Sequence, residues 1–341
     1  MRIRPGARVA VLSPSFAAPG VFPHVHERAM RVLRDRLGLI PVEYPTTRRT
    51  GASAAARAAD LTAAWTDPSI AAIMATIGGN DQITVLPHLD PAVFTSVPPT
   101  PFAGFSDNTN LLNWLWYHDI PALHGGSTQV HLARPGGPHP VSLGSLTHAL
   151  FHGGDLEIAP VDTFAEDELD WAGPAPADGP APTLPAPEWT WHRPDRVVTG
   201  RLWGGNLEIL AWTLAVSRFV KPASAYDGCV LLVETSQETP SATEVFRTLR
   251  NMGERGLLAR FPAIIVGLAK ATSLSHPRPP AVRDTYRREQ REAVLQAVGT
   301  YAPDACVVFD VPVGHTDPQY VLPYGGPVTV DGPGRRLIAH F

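Results

Sequence analysis

The chain of 341 residues has little cysteine, no long apolar run and no excess of charge of one sign. Its two cysteines, Cys229 and Cys306, each lie within a run of β-branched residues, which favours buried reduced thiols over a disulfide. No stretch is long enough to span a membrane, and the first residues lack the apolar core and cleavage site of a signal peptide. These absences predict a cytoplasmic protein that makes no membrane contact.

The chain also lacks the patterns that mark several classes of ligand. Its formal net charge is -4, with 28 Lys and Arg against 32 Asp and Glu, and no basic run marks a nucleic-acid surface. The 13 histidines show no H-E-x-x-H or Cys/His spacing, and no G-x-G-x-x-G or Walker pattern is present. We therefore expect no metal, no cofactor and no nucleic acid, and small molecules as partners.

What is present is an alternation of short apolar runs with helix-like stretches. It begins at Val9 and continues to about His152, which is typical of βαβ units and a mostly parallel sheet. An open α/β domain is predicted for residues 1–154 and a second α/β domain for residues 199–341. Pro, Ala and Gly dominate residues 172–187, so residues 155–198 are interpreted as a long connection over the surface.

Three tryptophans lie in this connection, namely Trp171, Trp189 and Trp191. Tryptophan in a linker most often anchors the chain to a domain, which is the first interpretation. The second is that these rings stack on a substrate. Both interpretations stay open at the level of the residues.

Ser106 lies between an apolar strand and a helix, in the sequence Gly104-Phe-Ser106-Asp-Asn. A hydroxyl at a helix N-terminus is well placed for a reaction that develops negative charge. The pattern resembles a nucleophile elbow without the second glycine of G-x-S-x-G. The alternative is that the serine and Asp107 only cap the helix.

Other candidate residues follow predicted strands. The pair Gly78-Gly79 would let a main-chain amide meet that of Asp107 in an oxyanion hole, although a plain tight turn has the same pattern. Glu234 ends a buried strand, where it can orient an imidazole or be merely solvated. His315 follows a glycine that permits an unusual backbone angle. Asn206 either binds substrate or caps its own helix.

Taken together, these residues resemble the LD-carboxypeptidase family, serine peptidase family S66. The resemblance covers most of the chain and rests on these motifs: Val11-Leu-Ser-Pro-Ser, Gly78-Gly79-Asn-Asp, Leu86-Pro-His-Leu-Asp, Gly104-Phe-Ser106-Asp, Gly204-Gly205-Asn206-Leu, Leu232-Val-Glu234 and Gly314-His315. It implies an N-terminal α/β domain with the serine and a swivelling, β-rich C-terminal α/β domain with the glutamate and histidine. The active site is then expected in the cleft between the domains.

The resemblance also implies roles for individual residues. Ser106 would be the nucleophile, His315 the general base and then acid, and Glu234 its orienting partner. The amides of Gly79 and Asp107 would form the oxyanion hole. Members of the family are metal-free, intracellular and commonly dimeric, so a homodimer is expected.

The family contains murein tetrapeptide carboxypeptidases and microcin C immunity peptidases. The linker tryptophans resemble the microcin-immunity branch, in which an aromatic residue of this connection can stack on a nucleobase. That branch implies cleavage of an amide in a peptide or aminoacyl-nucleotide conjugate. The alternatives are a murein LD-carboxypeptidase that releases terminal D-alanine and a binding protein without turnover. Phe105 and Asn108 depart from the family pattern, which is expected to reshape the pocket floor without touching the triad.

Overall fold

A computed structural model describes residues 2–167, 170–173 and 182–341. Its strands are β1 (Arg8–Leu12), β2 (Ile40–Glu43), β3 (Ile70–Ala75), β4 (Phe102–Gly104), β5 (Ala122–His124), β6 (Asp155–Ile158), β7 (Thr163–Phe164), β8 (Leu184–Pro185), β9 (Thr190–His192), β10 (Val197–Asn206), β11 (Val230–Glu234), β12 (Ala263–Gly267), β13 (Cys306–Val311), β14 (Leu322–Tyr324), β15 (Pro327–Asp331) and β16 (Arg336–His340). Its helices are α1 (Ala18–Val21), α2 (Pro23–Asp35), α3 (Ala54–Thr66), α4 (Pro91–Thr95), α5 (Thr109–Tyr117), α6 (Pro140–Thr147), α7 (Leu207–Val216), α8 (Ala242–Glu254) and α9 (Pro280–Tyr301). Within these described ranges, no helix has both the length and the hydropathy to cross a membrane.

The described residues form two compact units. The first contains residues 2–154, 170–173 and 319–324, and its strands run in the order β2-β1-β3-β4-β5-β14. The strands from β2 to β5 are parallel, whereas β14 pairs antiparallel with β5. Val9 and Ala10 of β1 are fully buried, as in a parallel sheet covered on both faces. The predicted open α/β fold is confirmed here.

The second unit contains residues 155–167, 182–318 and 325–341. Strands β10, β11, β12 and β13 are parallel, and β9 is antiparallel at the edge beside β13. The first half of β10 pairs antiparallel with β15, which continues through β16 to β6. The result is a mixed α/β unit with more antiparallel structure than the first.

The segment 155–198 contains more regular structure than its composition predicts. Strand β6 adds to β16, β9 adds to β13, and β7 pairs with β8. Strand pairing needs main-chain hydrogen bonds rather than a core of its own, so a Pro- and Ala-rich segment can extend sheets that already exist. Residues 168, 169 and 174–181 of the predicted connection lie outside the described residues. The predicted domain bounds themselves stay a prediction.

Both cysteines are buried and free of a disulfide, as predicted. Burial raises the pKa of the Cys229 thiol and, with the charge of Asp195, raises that of Cys306 to about 11. Because the thiolate is the reactive form, neither side chain is a candidate nucleophile at neutral pH.

Candidate active site

Ser106 occupies a strained turn between β4 and α5. It begins the short 3-10 turn Ser106–Asn108, and its φ of 63° lies in the left-handed region that non-glycine residues rarely adopt. A strained strand-to-helix turn is the backbone of a nucleophile elbow. The caps of the 3-10 turn and of α5, Phe105 and Asn108, make no side-chain capping bond. The alternative that Ser106 and Asp107 themselves cap the helix stays open.

The loop Gly78-Gly79 approaches this turn so closely that side chains are excluded. A Cβ atom on Gly78 would lie 2.8 Å from both Cβ and Oγ of Ser106 and 3.1 Å from the amide nitrogen of Asp107. A Cβ atom on Gly79 would overlap the hydroxyl of Ser15. The glycine pair therefore brings main-chain groups beside the serine, which is the arrangement that an oxyanion hole requires.

This close approach makes Gly78→Ala informative. The added methyl group must displace Ser106 or the loop, and a shift of this kind can lower kcat by about 10²-fold without unfolding the chain. The control is Gly299→Ala in α9, where a Cβ atom would meet nothing within 4 Å. Activity and thermal melting would be measured for both variants. Wild-type kcat in Gly78→Ala would contradict the packing described above.

The side chain of Asp107 collects hydrogen bonds from three segments of the first unit. Its Oδ2 accepts from the Ser15 hydroxyl and from the amide nitrogens of Asp81 at 3.1 Å and Gln82 at 2.9 Å. Its Oδ1 accepts from Asn110 Nδ2 at 2.8 Å. Burial raises the pKa of this carboxyl in spite of these bonds. Asp107 thereby fixes the segments after β1 and β3 against the Ser106 turn, a role that sequence reasoning missed.

A second tie between the same segments comes from Arg57 of α3. Its guanidinium makes a bidentate pair with Asp81, at 2.9 and 2.8 Å, and donates to the carbonyl oxygen of Ser15 at 3.0 Å. The side chain is almost fully buried, with 6% exposure. A basic residue within the alanine-rich helix α3 is the signal that could have revealed it.

Asn108 belongs to the same arrangement. Its Oδ1 accepts from Gln82 Nε2 at 2.7 Å, and its Nδ2 donates to the carbonyl oxygens of Phe105 at 3.0 Å and Ile77 at 3.2 Å. These hydrogen bonds tie Asn108 to the backbone of the turn and to the segment after β3.

In the second unit, Glu234 and His315 form a hydrogen-bonded pair. Glu234 ends β11, is 2% exposed, and places Oε2 2.6 Å from Nδ1 of His315. An ionised carboxylate can only accept, so Nδ1 of His315 is the donor in this bond. This is the ring orientation that a general base needs.

Two glycines make room for that carboxylate. Gly314 has a φ of 88°, and a Cβ atom there would lie 2.6 Å from Oε2 of Glu234. A Cβ atom on Gly267 would lie 3.0 Å from Cβ of Glu234. The glycine before His315 therefore supplies both the unusual backbone angle expected of it and space for the carboxylate.

Asn206 adjoins Glu234 in the sheet. The two residues are partners in the parallel register of β10 and β11. The Oδ1 atom of Asn206 accepts from the amide nitrogen of Ile209 at 3.0 Å and so caps α7. Capping is thus one role of this residue, and substrate binding stays a prediction.

The three tryptophans are divided between the units, and all are partly exposed. Trp171 belongs to the first, where its ring meets that of Phe22 edge to face at 5.5 Å. Trp189 and Trp191 belong to the second, with ring centroids 6.4 Å apart, and the Arg335 guanidinium lies 5.5 Å from the ring centroid of Trp191. Each ring packs against a neighbouring side chain and keeps part of its surface exposed. Anchoring of the chain and stacking on a substrate therefore both stay open as roles.

A metal centre would need several His, Cys, Asp or Glu side chains close together. Among residues 2–167, 170–173 and 182–341, no group of three or more His, Cys, Asp or Glu side chains is arranged to hold a metal ion.

Known proteins match the chain along most of its length. The model of the LD-carboxypeptidase N-terminal domain matches residues 9–125, and that of the LD-carboxypeptidase C-terminal domain matches residues 199–330. A Vibrio cholerae protein that bears the provisional name of a carboxypeptidase is 26% identical over 272 residues, which are 77% of either chain.

Solved structures show the same fold. An MccF-like protein from Streptococcus pneumoniae in complex with AMP has a TM-score of 0.86 and 23% identity, over 98% of this chain and 99% of its own. The microcin C7 self-immunity protein MccF, as a tryptophan-to-phenylalanine mutant with adenosine monophosphate, has a TM-score of 0.84 and 19% identity, over 100% and 97%. MccF has also been solved with aspartyl sulfamoyl adenosine and glutamyl sulfamoyl guanosine. With both domain models matched, the chain belongs to the LD-carboxypeptidase family, serine peptidase family S66.

Proposed function

We propose that the chain is a Ser-His-Glu peptidase that hydrolyses the amide of an aminoacyl-nucleotide conjugate. The observation that carries the proposal is the left-handed turn at Ser106, since a strained serine at a strand-to-helix junction has the backbone of a nucleophile elbow. The Glu234–His315 pair, at 2.6 Å, supports the assignment of the base.

The proposed reaction runs through an acyl-enzyme. His315 takes the proton of the Ser106 hydroxyl, and the oxygen attacks the amide carbonyl carbon. The amides of Gly79 and Asp107 stabilise the oxyanion, and His315 then donates its proton to the leaving nitrogen as the carbon–nitrogen bond breaks. Water attacks the ester in the same way, which releases the acid and restores the serine. Glu234 stays ionised throughout and stabilises the imidazolium.

The nucleotide part of the substrate is proposed from the relatives. Both solved structures named above hold AMP, and MccF binds two aminoacyl sulfamoyl nucleosides. The partly exposed Trp171, Trp189 and Trp191 are the aromatic side chains that we assign to nucleobase stacking, with Asn206 assigned to the polar part of the conjugate. A murein peptide is the second candidate, because the matched domain models carry the name LD-carboxypeptidase.

Aspartyl sulfamoyl adenosine and a murein tetrapeptide separate these candidates. We expect the wild type to release aspartate from the first and to leave the second uncut, as followed by mass spectrometry. Alanine at one of the three tryptophans should raise KM for the adenosine conjugate about 5- to 150-fold, the equivalent of 1–3 kcal/mol of stacking. The control is Val282→Ala on α9, where the side chain is 46% exposed. Release of D-alanine alone would assign the enzyme to cell-wall peptides instead.

Two further proposals rest on the family resemblance. One is a cytoplasmic location, and the other is a homodimer. The exposed apolar side chains Trp212 and Val216, on one end of α7, are in keeping with a surface that a second copy covers. Light scattering on the purified protein tests the dimer.

A further inference from the structure

Glu208 joins the first turn of α7 to the turn that follows Glu234. Its Oε1 accepts from the amide nitrogen of Ser236 at 2.9 Å and from the Ser236 hydroxyl at 2.7 Å. The Ser236 oxygen in turn accepts from the amide nitrogen of Glu238 at 3.1 Å. One oxygen of Glu208 therefore organises the chain two residues beyond the carboxylate that holds His315.

The second oxygen of Glu208 has a different environment. Although the residue as a whole keeps some exposure, Oε2 is enclosed and has no hydrogen-bond partner among the described residues. No cation forms an ion pair with Glu208 within those residues either. An ionised carboxylate oxygen in such a position loses its hydration without compensation.

Glu208 interacts electrostatically with Glu234 of β11 and with Tyr286 of α9. Tyr286 is itself within reach of Arg278, Arg287 and Glu244. Burial, and then the negative charge of Glu234, raise the pKa of Glu208, and the bonds from Ser236 oppose this only in part. Two neighbouring carboxyl groups of this kind do not both ionise without cost.

We propose that Glu208 is a positioning residue that holds a proton beside the Glu234–His315 pair, so that the two carboxyl groups carry one negative charge and Glu234 bears it. This deepens the proposed function, because it rests on Glu234 as the partner of His315. A second charge at Glu208 would stabilise the imidazolium further, and His315 would then stay protonated to higher pH and act less well as a base.

Glu208→Gln reproduces the protonated form and keeps an acceptor for Ser236. The acid limb of its kcat/KM profile should therefore coincide with that of the wild type within about 0.2 pH unit. Glu208→Ala should lower kcat about 10-fold, because both Ser236 donors lose their acceptor, and glutamine should restore most of it. An acid limb that moves to lower pH in Glu208→Gln would overturn the proposal, since it would show that the wild type carries a negative charge there.

Urea unfolding of wild type and Glu208→Gln gives a test that needs no substrate. A native carboxyl with a raised pKa keeps a proton that the unfolded chain has lost, so the contribution of Glu208 to wild-type stability falls as pH rises from about 4. The urea midpoint of Glu208→Gln, relative to that of the wild type, should therefore rise between pH 4 and 7. Glu292→Gln, at an exposed position on α9, should show no such rise. The opposite slope would overturn the proposal even in an active enzyme. Failure of the proposed function would be seen separately. The wild type would then cleave neither substrate, or Ser106→Ala would keep the activity of the wild type.

Discussion

Replacing Ser106 with alanine is expected to lower kcat by about 10⁴- to 10⁶-fold while substrate still binds. The reason is that no other oxygen in the strained turn can form the ester, and the residual rate then comes from binding and the oxyanion hole alone. The measurement is kcat on aspartyl sulfamoyl adenosine, with the dissociation constant obtained by calorimetry. A KM effect without a kcat effect would mean that the serine only binds.

The fold of this variant should remain intact. Alanine loses one hydroxyl at a position whose φ of 63° is strained for serine and alanine alike. Ser96→Ala is a suitable control, because that exposed hydroxyl only donates to the carbonyl oxygen of Val93. Loss of activity in both variants would indicate damage unrelated to the nucleophile.

Glu234→Gln is expected to lower kcat by about 10⁴-fold, which is the second of the two large effects. The amide has almost the shape of the carboxylate, but it carries no charge to stabilise the imidazolium, and its NH₂ group favours the wrong tautomer of His315. The side chain is 2% exposed, so the amide would replace the carboxylate in a buried position. The measurement is kcat on the same conjugate.

A double variant decides whether serine and glutamate act as one unit. If they do, Ser106→Ala with Glu234→Gln should be no slower than Ser106→Ala alone, because a triad that lacks its nucleophile has no further use for its acid. Losses that multiply would assign Glu234 a separate role. Glu292→Gln, an exposed carboxylate on α9, is the matched control and should keep wild-type kcat.

Much of the α/β framework could be predicted from the sequence, because parallel strands buried on both faces leave continuous apolar runs. The apolar runs at Val9 and Cys229 are of this kind, and strands β1 and β11 lie there. Strands β5 and β14 could not be predicted, since each has only three residues and they pair across a long stretch of chain. Strands β15 and β16 were missed because no buried run marks them.

Some residues of the candidate site could likewise be predicted from the sequence, and others could not. Ser106, Glu234 and His315 follow strands and belong to local motifs, so they stand out as candidates in the sequence. The side chain of Asp107, by contrast, acquires its role from Ser15 and from the amide of Gln82, which only the tertiary fold brings together. Periodicity does not contain that information, and the same is true of Glu208.

The position of β14 has a consequence for biosynthesis. The chain leaves the second unit after Pro318, supplies residues 319–324 to the first, and returns at Gly325. A ribosome that has made residues 2–154 has therefore produced a sheet whose β5 still lacks its antiparallel partner, and translation must pass most of the second unit, up to Pro318, before that partner exists. Until then β5 exposes unpaired main-chain groups at a sheet edge, where a chaperone or another nascent chain can pair with it. The first unit is thus compact, but its sheet is completed only after most of the second unit has been synthesised.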